Sequence, residues 1–328
     1  MEIREVAWSD GDGVRRFAAV AEAVRALDEP SGHPILASRV AGDLRYGWDG
    51  ETPVAFVVRA DGADVATARY EVSAYDNQHL AWLSLDVHPE HRRRGHGTAT
   101  LAFLLERAKA EGRTSVGADS WDLPAPRGFA ERHGFAARSV EVNRRQHLAK
   151  VDRAEVDRLF DDALGRAASY ELVRRVGTTP ADELEAMAAM TAAINDAPTD
   201  DLDVEDEVFP QERVAGYEAA QLGRGDTLYR VVARHRETGE LAGQTVVVVA
   251  GDRPHIAHQH DTSVVRAHRG HRLGVLLKAD MLRWLAEAEP QVETVDTWNA
   301  ESNDHMIGVN EALGYEIIGR ALAWQRPL

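Results

Sequence analysis

At 328 residues, with 54 acidic against 38 basic side chains and a formal charge of −16, the chain is long enough for two ordinary cores and too acidic to lie along a nucleic acid, whose phosphates it would repel. It has no Cys, which removes disulfides, thiol nucleophiles and thiolate metal sites. The opening MEIREVAW is charged and strand-like rather than a signal peptide, and no apolar run nears the roughly 18 residues of a membrane span, so a cytoplasmic chain without membrane contact is expected.

Ile3 to Trp8 predicts a first strand, and Gly13 to Leu27 a helix, because Val14, Phe17, Val20, Val24 and Leu27 recur at helical spacing. A connection at Pro30 to Pro34 follows. Pro53 to Arg59 and Asp64 to Ser73 read as paired strands across a turn at Asp61-Gly62, and a turn at Asp76-Asn77 leads to a strand at Leu83 to Val87. That strand enters the stretch LSLDVHPEHRRRGHGTATLAFLL, in which Pro89 ends the strand and Gly95 and Gly97 make a tight loop before an apolar-periodic helix. Such a junction aims backbone N–H groups and the positive end of the helix dipole at one spot. Val87 and His88, then Arg92, Arg93, Arg94, Gly95, His96, Gly97 and Thr98, are therefore candidates to hold an anion, a pyrophosphate above all.

Beyond that helix come a strand at Thr114 to Ala118, a short helix opened by Pro124 and Pro126 and ending at Gly134, and a closing strand at Ala136 to Leu148. Asp152 to Ala168 is charged and helical, with Val156, Leu159, Phe160 and Leu164 in register, and marks a boundary. The expected division is one domain over 1–150, a linker helix over 151–168 and a second domain over 169–328. Tyr170 to Val176 restarts the pattern, followed by a helix to Ile194 with Thr179 as its N-cap before Pro180. An acidic loop and short helix, Asp200 to Arg213, has no counterpart in the first half; it reads as a solvated face, or as a lip that draws cations to a pocket.

The loop design recurs downstream in HDTSVVRAHRGHRLGVLLKADMLRW (His260 to Trp284). Placing Arg92 over Arg269 superposes His91 on His268 and Gly97 on Gly274, and AERHGF then falls near NEALGY. Spacing kept over about forty residues indicates a duplicated domain. The second set of anion candidates is Val264 and Val265 with Arg269, Gly270, His271, Arg272, Leu273 and Gly274. A Rossmann reading fails because the loop follows an antiparallel meander, and a P-loop reading because GxxxxGK[ST] is absent.

Arg92-x-x-Gly95-x-Gly97, entered through Val87-His88-Pro89 and followed by Gly-Phe-Ala-Glu-Arg-His-Gly-Phe, resembles the GCN5-related N-acetyltransferase family, whose R/Q-x-x-G-x-G/A loop grips the pyrophosphate of acetyl-CoA. The resemblance covers both halves. It implies two tandem α/β domains, each a splayed mixed sheet flanked by helices, with the pantetheine arm of acetyl-CoA lying between the two central strands like an added strand. In the second loop Arg272 replaces the first glycine of the pair; if that position needs positive φ the side chain costs about 1 kcal/mol, which a phosphate contact would offset.

Acetyl transfer to an amine needs a base, since only roughly one aliphatic amine in a few thousand is neutral at pH 7. His258 and His260 stand eleven and nine residues before Arg269, two apart on one strand face, and their spacing resembles family members in which paired His residues are linked to amine deprotonation through water. The first half has Ala81 and Leu83 there. The alternative is a pair of neutral, hydrogen-bonded structural histidines; a metal site lacks a third ligand of suggestive spacing. Asp261 falls on the opposite face from His260, and Glu205 and Glu207 are further base candidates if the acidic loop covers the site.

Many family members place a thiolate-protonating Tyr where this chain has Asn310 and Ala130; Asn310 can donate a hydrogen bond, Ala130 cannot act. Asn299 resembles a position that contacts the pantetheine or sulfur region, and Asn303 is either such a contact or an N-cap. The resemblance thus implies an acetyl-CoA-dependent N-acetyltransferase, monomeric or homodimeric, acting on a small-molecule primary amine with its second domain catalytic. The acidic balance suits a cationic amine such as a polyamine, an aminoglycoside-like antibiotic or a mycothiol-type intermediate, while protein N-termini and lysines stay open. The competing readings are a CoA-binding sensor with little catalysis, and an enzyme whose first domain is the active one.

Overall fold

The computed structural model describes all 328 residues, in nine α-helices and twelve strands. In chain order the first half has β1 (Glu2–Val6), α1 (Gly11–Asp28), α2 (Ala37–Tyr46), β2 (Val54–Ala60), β3 (Ala63–Glu71), β4 (Leu80–Val87), α3 (His96–Ala110), β5 (Ser115–Trp121), α4 (Pro124–Arg132) and β6 (Ala136–His147). The second has α5 (Arg153–Arg166), β7 (Tyr170–Val176), α6 (Leu184–Thr191), α7 (Gln211–Gly223), β8 (Thr227–His235), β9 (Leu241–Val249), β10 (Ile256–Val264), α8 (Leu273–Ala288), β11 (Thr294–Ala300), α9 (Asp304–Ala312) and β12 (Tyr315–Pro327).

The first compact unit comprises Met1–Glu141, Thr199–Asp206 and Arg320–Leu328. Asp10 caps α1 by accepting from the Gly13 amide at 3.0 Å, and the helix buries Val14, Phe17, Ala18 and Ala21 against Val40 and Leu44 of α2 and Ala55 and Val57 of β2. The turn between β2 and β3 has φ of 49° at Asp61 and 83° at Gly62, the positive pair a two-residue hairpin demands. β1 to β4 pair antiparallel; β4 and β5 pair parallel only from Leu80↔Ser115 to Leu83↔Ala118, then both continue unpaired with each other. α3 covers one face through Leu101, Leu104 and Ala108, in a core shared with Leu83, Val116 and two residues from the end of the chain, Leu322 and Trp324. The outer edge of β5 is closed by the final segment, in register from Ala321↔Trp121 to Pro327↔Ser115.

The second unit comprises Val142–Pro198 and Glu207–Gly319. β7 to β10 pair antiparallel, and β10 pairs parallel with β11 for only three residues, Ile256↔Thr294 to His258↔Asp296. α8 and α5 pack on the core face, so the helix expected as a linker is part of this unit's core through Val156, Leu159 and Ala163. The later part of β6 also lies here: Arg145 grips Asp296 with two bonds of 2.7 Å, and the Leu148 amide after it donates to Glu293 O at 2.9 Å.

Two local expectations need correction, and one helix stands where none was expected. The helix α2 carries only Val40 and Leu44 as buried residues, too few for an apolar periodicity to stand out. Thr179 does not cap a helix, because its amide (2.8 Å) and hydroxyl (2.6 Å) both donate to the buried carboxylate of Glu218 and α6 starts only at Leu184. No helix forms before Gln211, since the like charges of DDLDVEDE repel; the helix that starts there runs on to Gly223.

Candidate active site

In the second unit β10 and β11 diverge after His258 and Asp296, leaving Gln259–Val264 with an edge unpaired on the β11 side. Ala257 and Gln259 face α8, Ala257 in the core and Gln259 on a small cavity beside Lys278, so His258 and His260 face the other side. Both are half-buried. There α7 presents Tyr217, whose hydroxyl is 2.6 Å from His260 Nδ1. Burial, with Asp261 nearby, pushes the Tyr217 phenol far above its ordinary range, so it is neutral.

The strand carries a bulge between Gln259 and Thr262, where three steps on β10 face two on β9. Strict alternation therefore fails at Asp261. Its carboxyl is raised by burial and lowered by Arg230, and it acts on Tyr217, which brings it to the same side as His260 rather than the opposite one. Arg230, in turn, is tied to Glu218 and to Thr179 Oγ1 (2.8 Å), so a buried polar network braces the helix that holds Tyr217. Sequence reasoning missed Tyr217, Glu218 and Arg230; alternate apolar residues around them carry no sign of which helix reaches the strand.

On the α8 side, Asn310 is 0% exposed. Its Oδ1 accepts from Lys278 Nζ at 2.6 Å and its Nδ2 donates to Asn299 Oδ1 at 2.7 Å. Asn310 therefore cannot touch a ligand itself, and bears on the opening only through Asn299, which sits on the diverging part of β11. Lys278 is also buried, 4.8 Å over the Tyr315 ring, and burial drives it down to about 7. Asn303 caps α9, its Oδ1 accepting from the Met306 amide at 3.2 Å.

The two glycine loops have one backbone in common. Arg93 (φ 63°) and Gly95 (88°) are left-handed in the first; Gly270 (86°) and Arg272 (57°) are left-handed in the second, so glycine and arginine have traded places. In both, the leading arginine is a strut: Arg92 Nε donates to Val87 O and Arg269 Nε to Val264 O, each at 3.1 Å. Carboxylates take the rest of those guanidiniums, Asp28 on Arg92 at 2.6 and 3.0 Å and Asp196 on Arg269 at 2.5 Å. Arg272 is paired with Asp162. Donors for an anion are then the orphan amides of the first helical turn, since the first helical bonds are Ala99 N to Gly95 O and Leu276 N to Arg272 O. The amides of His88 and Val265 are already bonded to Val65 O and Ala242 O. Arg93 and Arg94 are exposed with no protein partner, whereas in the second loop the exposed Arg266 and Arg269 are both paired with Asp196 and the exposed His271 lies against the Tyr170 ring.

In the first unit Ala81 and Leu83 are core residues. On the other face stands Asp86, raised to about 6 by burial against the opposing pull of Arg69 and Arg92. Asp119, hydrogen-bonded to Trp82 Nε1 at 2.7 Å, is also raised by burial, as are Glu71 and Glu141. The acidic segment belongs to this unit: Asp200 accepts from Ser139 at 2.7 Å, and the Glu205 amide donates to Asn77 Oδ1 at 2.7 Å while its carboxylate takes the Asn77 amide. Glu207, in the second unit, is tied to Arg213 at 3.0 Å and its amide to Asn195.

The acetyltransferase (GNAT) family profile matches residues 21–135. Two proteins named mycothiol acetyltransferase are similar: one from Stackebrandtia nassauensis is 34% identical over 140 residues, 41% of this chain and 44% of that one, and one from Parafrankia sp. is 31% identical over 157 residues, 47% and 46%. The matches thus span less than half the length of these relatives. Among solved structures, a tandem GNAT protein from the clavulanic acid biosynthesis pathway superposes with a TM-score of 0.81 at 30% identity, covering 99% of this chain and 98% of that one. A GCN5-related N-acetyltransferase from Sphaerobacter thermophilus shares the fold, with a TM-score of 0.69 at 16% identity over 99% of this chain and 95% of that one. With the doubled loop, the paired divergent strands and a likeness that runs the length of the chain, the protein belongs to the GCN5-related N-acetyltransferase family as a tandem member.

Proposed function

We propose that the protein moves an acetyl group from acetyl-CoA to the primary amine of a small molecule, and that the second unit does so. The observation that carries this reading is the pairing of His258 and His260 on the free-edged strand, with His260 Nδ1 held by Tyr217 at 2.6 Å. A neutral imidazole has one N–H; when Nδ1 donates it to the phenol oxygen, Nε2 keeps its lone pair and can take a proton from an ammonium, directly or through water. The amides of Leu273, Gly274 and the adjoining loop suit a pyrophosphate, and the unpaired edge Gln259–Val264 suits the amides of a pantetheine arm. Acetyl-CoA, when bound, supplies the activated thioester. The names of the two relatives support a small-molecule acceptor, and the acidic balance supports a cationic one.

A second reading puts the reaction in the first unit. It is favoured by the uncommitted Arg93 and Arg94 at the loop and by Asp86, raised to about 6 on the strand that enters it. One screen separates the two: release of free CoA thiol from acetyl-CoA with pooled small amines, run on the full chain. The expected result is loss of turnover in the His258→Ala/His260→Ala double variant and in Gly274→Arg, with Asp86→Asn still active. Normal turnover by the double variant overturns the proposal. Tight acetyl-CoA binding with no thiol released by any amine points instead to a CoA-binding sensor.

A further inference from the structure

Three side chains of the second unit form a one-way hydrogen-bond relay that the amine-activating face does not use. Lys278 donates to Asn310, and Asn310 donates to Asn299, at 2.6 and 2.7 Å. The direction is set by how the Asn310 amide is placed: its carbonyl oxygen faces Lys278 Nζ, which donates to it as ammonium or as neutral amine, and its NH2 faces the Asn299 carbonyl oxygen. What remains at the end of the relay is the Asn299 NH2, a donor with no protein partner, on the part of β11 that has left β10.

Each bond polarises the next, so the terminal N–H is a stronger donor than an isolated amide. The first unit lacks every member. The sixth residue of α3 is Leu101 where the sixth of α8 is Lys278, the seventh of α4 is Ala130 where the seventh of α9 is Asn310, and Asp119 lies five residues before α4 as Asn299 lies five before α9. Asp119 ends that path in an acceptor, which would repel an anion. Burying a lysine among Gln146, Gln259, Met281 and Tyr315 costs stability and makes no contribution to the core that Leu or Met would not make better.

We infer that Lys278 is a positioning residue, which through Asn310 fixes and polarises the Asn299 amide as a hydrogen-bond donor to the coenzyme A sulfur as it leaves as thiolate. This rests on the second unit binding CoA. No proton is transferred along the relay; the thiolate is stabilised by the donated bond, and its proton comes from solvent after release.

The test measures binding of CoA, acetyl-CoA and desulfo-CoA to the full chain carrying Gly97→Arg, at mildly alkaline pH where part of the bound thiol ionises. The parent is expected to prefer CoA over desulfo-CoA by about tenfold, the worth of one charge-assisted bond. Lys278→Met and Asn310→Asp should each abolish that preference while desulfo-CoA and acetyl-CoA affinities stay within about twofold. Asn310→Asp keeps Lys278 paired but cannot donate to Asn299, so it reports on the relay even if Lys278→Met folds poorly. A purely structural role would weaken all three ligands together. A CoA preference unchanged in both variants overturns the inference alone; failure of the Gly97→Arg protein to bind any of the three, with the unsubstituted chain binding them, overturns the second-unit reading and the inference with it.

Discussion

On the proposed reading, in which His260 Nδ1 donates to Tyr217 across 2.6 Å and leaves Nε2 as the base, the phenol hydroxyl matters more to turnover than to folding. Tyr217→Phe is expected to lower amine turnover by about tenfold or more at unchanged acetyl-CoA affinity, with a stability cost of about 1 kcal/mol; steady-state rates and a binding titration check it. Lys278 also bears on stability, through pH. Burial holds it at about 7, so between that value and its ordinary range near 10 the unfolded chain keeps a proton that the folded chain has lost. The full cost of burying the ammonium is therefore present below about pH 7 and is relieved as pH rises, and stability climbs through that window. Lys278→Met removes the group and should be more stable than the parent near roughly pH 6, with the gap shrinking near roughly pH 9 in denaturant melts.

The loop elements carry a matched pair of strained positions. Arg93 and Arg272 each hold a side chain in left-handed backbone, at φ 63° and 57°, where glycine would sit without strain. Arg93→Gly and Arg272→Gly should each stabilise the fold by roughly 0.5 kcal/mol or leave it unchanged, the half-exposed Arg272–Asp162 pair being too screened to reverse the sign. Thermal melts of the two variants test this. The second glycines differ instead. A Cβ at Gly97 would meet the Phe129 ring at 3.2 Å and Val87 at 3.3 Å, whereas at Gly274 the nearest atom is His305 Nε2 at 4.0 Å. Gly97→Ala should therefore destabilise by about 1 kcal/mol, whereas Gly274→Ala should leave stability unchanged or raise it by roughly 0.5 kcal/mol, although both sit in the first turn of a helix. An alignment of the two loops reads these glycines as equivalent; only their neighbours on α4 and α9 separate them.

At the scale of the molecule, each unit is completed by chain from the far half: Val142–His147 joins the second, and Arg320–Leu328 with Thr199–Asp206 joins the first. Deleting Arg320–Leu328 should unfold the first unit, since it strips the partner strand of β5 and removes Leu322 (3% exposed) and Trp324 (2%) from its core, while the second unit keeps its structure. Hydrogen exchange, read peptide by peptide, should show β2 to β5 losing protection and β8 to β10 retaining it. A cut near residue 150 would not yield two independent domains for the same reason. Local chemistry fixed what the sequence alone determined: the Asp61-Gly62 turn, the strand–glycine loop–helix junction in both halves, the doubling, and the two-residue spacing that puts His258 and His260 on one face. These depend on neighbours within a few residues, where backbone preference and period suffice. Tyr217 against His260, the Lys278–Asn310–Asn299 relay, the docking of the acidic segment at Asn77 and the exchange of the last strands were decided only by tertiary structure, because each joins side chains or strand edges whose sequence separation carries no periodic signal and whose partners are chosen by how the chain packs.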